Sequence, residues 1–160
     1  MDKQIKSTGC CELIDPDAWQ GKEMVWHDKL FATDHITSFL HMPLNFGSQM
    51  TKNMKLIHDA GAEMKDQLTL VDEHSLWGAE LYISIPKEIV GARTAKISGT
   101  FLTKVFEGPY KDAGKWVKEM EEYVKRKGKD LKKIYFFYTV CPTCAKAYGK
   151  NYVVLFAQVE

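Results

Sequence analysis

Leu102-Thr103-Lys104-Val105-Phe106-Glu107-Gly108-Pro109-Tyr110 is the stretch on which the fold turns, because Ile36-Thr37-Ser38-Phe39-Leu40-His41-Met42-Pro43-Leu44 repeats it 66 residues earlier, Pro upon Pro. The β-branched and aromatic residues at 100–106 predict a strand, and Gly108-Pro109 ends it in a tight turn. Downstream, the same offset sets Met50 on Trp116, Met54 on Met120, Ile57 on Tyr123, and Leu68-Thr69-Leu70-Val71 on Ile134-Tyr135-Phe136-Phe137. The match then slips by about five residues, since Glu80-Leu81-Tyr82-Ile83-Ser84-Ile85 fits best on Asn151-Tyr152-Val153-Val154-Leu155-Phe156.

The elements of the second copy are the plainer ones. Ala113, Trp116, Val117, Met120, Tyr123 and Val124 recur at helical spacing, while Lys118, Glu119, Glu121 and Glu122 fill the other face. They predict a helix over about 111–127, closed by Gly128. Residues 134–140 and 152–159 are dense in Tyr, Phe and Val, as strands on a core are. The expected fold is therefore α+β: duplicated βαββ units with pseudo-twofold symmetry and a mostly antiparallel sheet with helices on one face. Residues 1–23 read as an amino-terminal arm, with Pro16 and Gly21 breaking periodicity, and residues 24–160 as one domain with halves at about 24–90 and 97–160.

Composition narrows the function. Among 160 residues, 22 Lys and Arg stand against 21 Asp and Glu, for a formal charge of +1, which steers toward neither nucleic acid nor anionic membrane. The basic cluster Lys125, Arg126, Lys127, Lys129, Lys132 and Lys133 falls at a predicted helix end, where the dipole favours cations, and reads as a solvated face. Residues 1–9 hold no apolar run resembling a signal peptide, and no segment reaches the ~18 apolar residues that span a bilayer. A cytoplasmic protein is expected, with its four cysteines as thiols.

The repeated segments resemble the GyrI-like, or bacterial effector-binding-domain, family, which shares its fold with the SOUL haem-binding proteins. The resemblance rests on Val105-Phe106-Glu107-Gly108-Pro109-Tyr110 followed by the Trp116-bearing helix, a Tyr-rich strand and a closing strand. It extends to the first copy through Leu40-His41-Met42-Pro43 and Glu80-Leu81-Tyr82-Ile83-Ser84-Ile85-Pro86. It implies a cleft along the pseudo-twofold, lined by aromatic rings and carboxylates, that binds amphipathic and often cationic small molecules. Some relatives serve as effector domains of transcription regulators; others hydrolyse electrophilic natural products with a pocket Glu and aromatic side chains. With no helix-turn-helix extension, a stand-alone binding protein or hydrolase is implied here.

Three residues are candidates for acid–base chemistry. His41 and Glu107 are equivalent by the 66-residue offset and end their strands just before the turn, where an imidazole and a carboxylate can work as a couple. Glu80 opens a strand in which Glu80, Tyr82 and Ser84 alternate with Leu81, Ile83 and Ile85, which makes one face polar. Beside Trp77 and Tyr82 it would attract a cationic ligand, each ring adding about 0.5–2 kcal/mol. The family's pocket glutamate lies near the start of such a strand, which points to Glu80 again.

Trp26, Trp77, Tyr82, Tyr110, Trp116 and Tyr138 are the aromatic residues expected around the ligand. Trp116 also lies on its helix's apolar stripe, the usual place of a core residue, whereas Tyr110 matches the family's Gly-Pro-Tyr. Cys141-Pro142-Thr143-Cys144 departs from the family pattern. Its position between two late strands excludes a thioredoxin-like fold, in which such a motif opens a helix after the first strand. Cys10, Cys11, Cys141 and Cys144 form a candidate zinc set if the arm folds back, although adjacent cysteines are an uncommon ligand pair. No other cofactor is expected: His27, His35, His41, His58 and His74 offer haem ligands, but no motif selects one. The alternative to a small-molecule binder or hydrolase is a metal- or redox-responsive sensor using the Cys141 and Cys144 loop. Oligomeric state is not legible.

Overall fold

A computed structural model describes residues 13–39, 42–43, 45–64, 67–73, 77–139 and 142–160, and the chain is α+β. Its elements are β1 (Lys22–Phe39), β2 (Met42–Pro43), α1 (Phe46–Asp59), β3 (Thr69–Asp72), β4 (Gly78–Ser84), β5 (Arg93–Glu107), α2 (Ala113–Arg126), β6 (Leu131–Tyr138), α3 (Pro142–Tyr148) and β7 (Tyr152–Val159). The chain divides into two units, one of residues 25–99 and one of residues 100–160 with the segment that ends at Met24.

In the unit of residues 25–99, the strand order is β2-β1-β4-β3, with each neighbouring pair antiparallel. The register sets Ala32 opposite Ile83, Asp34 opposite Leu81 and Ile36 opposite Ala79, so these residues share one face. Ala32, Ile36, Leu81 and Ile83 are buried there, and Ile57 of α1 is buried as well. Side chains fasten α1 to β1. Asn53 donates an amide hydrogen bond to Asp34 Oδ2 at 2.8 Å, Gln49 donates to the His35 carbonyl at 2.9 Å, and the Asn45 side chain accepts from the Thr37 N–H at 2.8 Å. Eighteen residues of β1 would make a stiff ribbon, but Asp28 adopts φ +48°, the left-handed conformation, and bends it. Ser98 holds the bend: the Asp28 N–H donates to Ser98 Oγ at 2.8 Å, and that hydroxyl donates to Asp28 Oδ1 at 3.3 Å.

In the other unit β7 is the central strand, antiparallel to β5 on one side and β6 on the other. One face carries Leu102 and Phe106 of β5, Phe136 of β6, and Val153, Leu155 and Ala157 of β7, and Trp116, Met120 and Val124 of α2 pack onto it as one cluster. The stripe read from the sequence is therefore the stripe that is buried. The opposite face presents Phe101, Val154 and Phe156, which makes Val153–Ala157 an unbroken buried run rather than an alternating one. Trp19 lies against that face, its ring edge-on to Phe137 and Phe156 at 5.8 and 5.5 Å. One side-chain and one backbone hydrogen bond secure the segment that carries it: the Thr103 hydroxyl donates to the Trp19 carbonyl, and the Gly21 N–H donates to the Thr103 carbonyl at 3.0 Å.

The structure departs from the expected elements in four places. β5 starts at Arg93 rather than near residue 100; residues 93–98 are mostly polar, with only Ile97 among them buried, and so lack the pattern by which a strand is read. α2 begins at Ala113, after a single 3₁₀ turn at Tyr110–Asp112 that follows the extended Pro109. The segment expected as a cysteine loop contains α3, ended by Gly149 at φ +67°. On β4, the predicted polar face stops before Ser84, which is buried and accepts the Leu68 N–H at 2.7 Å.

Burial predicts the energetic outcome on α2. Met120 is fully enclosed, so Met120→Ala is expected to cost about 2–5 kcal/mol. Lys118→Ala, on the exposed face of the same helix, should stay within roughly 0.5 kcal/mol. Urea unfolding of the two variants measures both.

Candidate functional site

The face of β1 and β4 opposite the α1-linked residues carries a row of side chains set by register. Phe31 lies opposite Ser84, Thr33 opposite Tyr82, and His35 opposite Glu80, while β3 adds Leu70 beside Tyr82 and Asp72 beside Glu80. His35, Glu80 and Asp72 therefore occupy one rung across three strands.

Glu80 is the centre of the rung. Its side chain is 27% exposed, and its two oxygens face different partners: His35 Nδ1 lies 2.9 Å from Oε1, and an Arg93 guanidinium nitrogen 3.7 Å from Oε2. An ionised carboxylate only accepts hydrogen bonds, so Nδ1 carries the proton and donates it to Glu80. The Arg93 contact is looser. At 71% exposure and 3.7 Å, it is a surface pair of about 0–1 kcal/mol.

Aromatic residues continue this face away from the rung, toward the Phe31 and Ser84 pair. Phe31 stands perpendicular to Tyr82 with ring centroids 6.1 Å apart, and Trp26 tilts against Phe31 at 5.8 Å. Tyr82 and Trp26, both read from the sequence as candidates, are thus linked through Phe31, and Tyr82 shares its face of β4 with Glu80 two residues before it. Trp77 has a largely exposed side chain, and its carbonyl accepts the Ser38 N–H at 2.9 Å.

The other unit holds a second group. Glu107 ends β5 as an exposed residue, with Lys150 Nζ 3.3 Å from its carboxylate. The turn behind it is closed by Asn151, whose side-chain amide donates to the Gly108 carbonyl at 2.7 Å. Gly108, at φ +142°, occupies a conformation that a side chain would strain. Tyr110 lies 5.7 Å from Tyr138, which stacks on Phe136 at 5.9 Å. Trp116 is buried and stacked on Phe106 at 5.7 Å, a place within the core of its unit.

His41, Cys10, Cys11 and Cys141 lie outside the described residues, so the predicted His41 and Glu107 couple and the zinc set fall there in part. Cys144 is buried in α3. Among the described residues, no group of three or more His, Cys, Asp or Glu side chains is placed to hold a metal ion, and no helix is long and apolar enough to cross a membrane. Sequence reasoning reaches His35 only as one of five possible haem ligands and does not reach Arg93 or Asp72 as site residues. The only sequence signal for His35 was its place on a strand, and the partner strand's register was needed to set it against Glu80.

Comparison with known proteins gives the class first. The fold is that of the GyrI-like effector-binding domains. The C-terminal domain of EcmrR superposes with a TM-score of 0.67 at 11% identity, over 89% of this chain and 98% of that one. A hydrolase from Listeria innocua superposes with a TM-score of 0.61 at 12% identity, over 88% of this chain and 92% of that one. EcmrR in its DNA complex matches 89% of this chain and 57% of its own length, with a TM-score of 0.67 at 12% identity. Within that fold, the family described as bacterial hydrolase matches residues 1–159, and the chain belongs to it. No curated protein matches.

One supporting carboxylate has a pH signature. Asp34 accepts the His35 N–H at 2.8 Å and so fixes the backbone from which the imidazole projects. Burial pushes the Asp34 carboxyl up, but the Asn53 amide, the His35 N–H and Lys52 together outweigh it and hold Asp34 below its ordinary 3.8. A carboxyl depressed on folding contributes stability that is present above the unfolded value and disappears as pH falls through the folded one. The stability gap between wild type and Asp34→Asn should be level from pH 7 to about 5 and shrink below about pH 4. Urea unfolding across that range tests this, and a gap independent of pH would contradict it.

Proposed function

We propose that the protein binds an amphipathic or cationic small molecule at the carboxylate and aromatic face around Glu80, and hydrolyses electrophilic members of that class. The observation that carries this reading is a half-buried Glu80 whose cationic partner is a loose, exposed Arg93. A lipophilic cation can displace that guanidinium at little cost, because the pair being broken contributes about 0–1 kcal/mol. The ligand would then gain the Coulomb attraction of Glu80 together with ring contacts to Tyr82 and Trp26, each worth about 0.5–2 kcal/mol.

The hydrolytic part of the proposal is supported by membership in a family described as bacterial hydrolase. It is also supported by the pairing of a carboxylate with an imidazole, the usual apparatus for taking a proton from water. On this reading Glu107, Tyr110 and Tyr138 serve as a second polar and aromatic group, and Trp116 holds up the strand beneath them. The 66-residue sequence offset supports an origin by duplication, with β2 and α3 as the elements in which the two units differ.

Thermal melts with rhodamine 6G, a lipophilic aromatic cation, test the binding. At 100 times Kd a ligand stabilises by about 2.7 kcal/mol, which raises the Tm of a domain this size by roughly 5–10 °C. Glu80→Gln should lose more than half of that increase. An equal increase in wild type and variant rules out Glu80 as the ligand's counter-charge.

A further inference from the structure

We infer that His35 is the catalytic base of this site, and that Glu80 and Gly78 are its positioning residues. The inference rests on the proposed hydrolytic reading and specifies which group takes the proton. One contact holds the ring and one gap makes room for it. Glu80 Oε1 accepts the Nδ1 proton at 2.9 Å, which fixes the tautomer and leaves a lone pair on Nε2. Gly78, opposite Thr37 on β4, removes the obstacle beneath: a Cβ built there would lie 2.7 Å from His35 Cε1 and 3.0 Å from Nε2. Real Cβ atoms essentially never show the shorter of these contacts, so the ring end occupies space that a side chain at 78 would fill and would have to shift to admit one.

Nε2 itself makes no hydrogen bond to any described residue, and the side chain is 49% exposed. With about half of the side chain exposed, solvent reaches the ring. A carboxylate that orients an imidazole from one nitrogen while the other faces the reactants is the arrangement of a general base. The substrate class follows from that chemistry. A base with no paired acid serves substrates whose leaving group departs as a stable anion, and activated esters are the simplest of these. In the reaction, Nε2 takes one proton from water as the water oxygen bonds to the acyl carbon and the carbonyl π pair moves to its oxygen. Collapse of that adduct breaks the bond to the aryl oxygen, which leaves with the electron pair as aryloxide. The imidazolium then returns its proton to solvent, and the products are a carboxylic acid and a phenolate.

Hydrolysis of p-nitrophenyl butyrate by the intact protein tests the inference. The ester is neutral, so loss of the Glu80 charge does not weaken its binding directly. His35→Ala should lower kcat at least 100-fold with KM within threefold, and free imidazole at tens of millimolar should restore turnover. Glu80→Gln and Gly78→Ala should each lower kcat, and neither should lower it further when combined with His35→Ala, because all three act through one ring. Should Gly78→Ala fail to fold, His35→Gln, which keeps a polar side chain, carries the same expectation for kcat. Wild-type kcat in His35→Ala, a loss that imidazole does not restore, or a wild type inert toward the ester would each overturn the assignment of His35. The rhodamine 6G melts decide the binding reading separately, since a protein that binds the cation and leaves the ester untouched retains the ligand site and loses only this base.

Discussion

The antiparallel register of β4 against β1 and β3 is the constraint from which the site follows. It places His35 opposite Glu80 and Glu80 opposite Asp72, three ionisable residues in one rung. Because strand side chains alternate with a period of two, a slip of one residue would send Glu80 to the face occupied by Leu81 and Ile83. Burying an unpaired carboxylate among those side chains is costly, and so the apolar face enforces the polar one. Leu81 and Ile83 hold the register by burial, and the geometry at Glu80 is the result.

The same logic explains why α1 is tied by polar side chains and α2 by apolar ones. Opposite the rung, β1 presents Asp34 on the face where α1 packs, and Asn53, Lys52 and the His35 backbone N–H satisfy it. That network is local to the strand residue carrying the imidazole, and it limits how far the backbone at His35 can shift. In the other unit Trp116, Met120 and Val124 close over Phe106, Phe136 and Leu155. Close packing of that kind gives a rigid base for the Gly108 turn and the exposed Glu107 beside it.

Glycine has two distinct uses in this chain. Gly108 supplies a backbone conformation between β5 and α2 that a side chain would strain. Gly78 sits in a strand, and what matters there is volume, since the missing side chain lets an aromatic ring approach the backbone. Strand glycines usually weaken a sheet. At residue 78 the space left by the missing side chain is taken by the His35 ring.

By itself the sequence determined what local periodicity can determine: the apolar stripe of α2, the turn at Gly108-Pro109, the strands β6 and β7, and the 66-residue correspondence that led to the fold class and the family resemblance. It pointed to Glu80 because a charged residue alternating with apolar ones on a strand can be recognised from its neighbours. It did not reveal the amino-terminal half of β5, whose residues are too polar to show a strand's pattern, nor α3, which is short and surrounded by loop-forming residues. The tertiary structure alone decided that His35 is the partner of Glu80, that Arg93 reaches the second carboxylate oxygen, and that Trp116 lies in the core of its unit. The reason is physical: periodicity is a property of neighbours along the chain, whereas register and burial come from hydrogen bonds and packing between residues tens of positions apart.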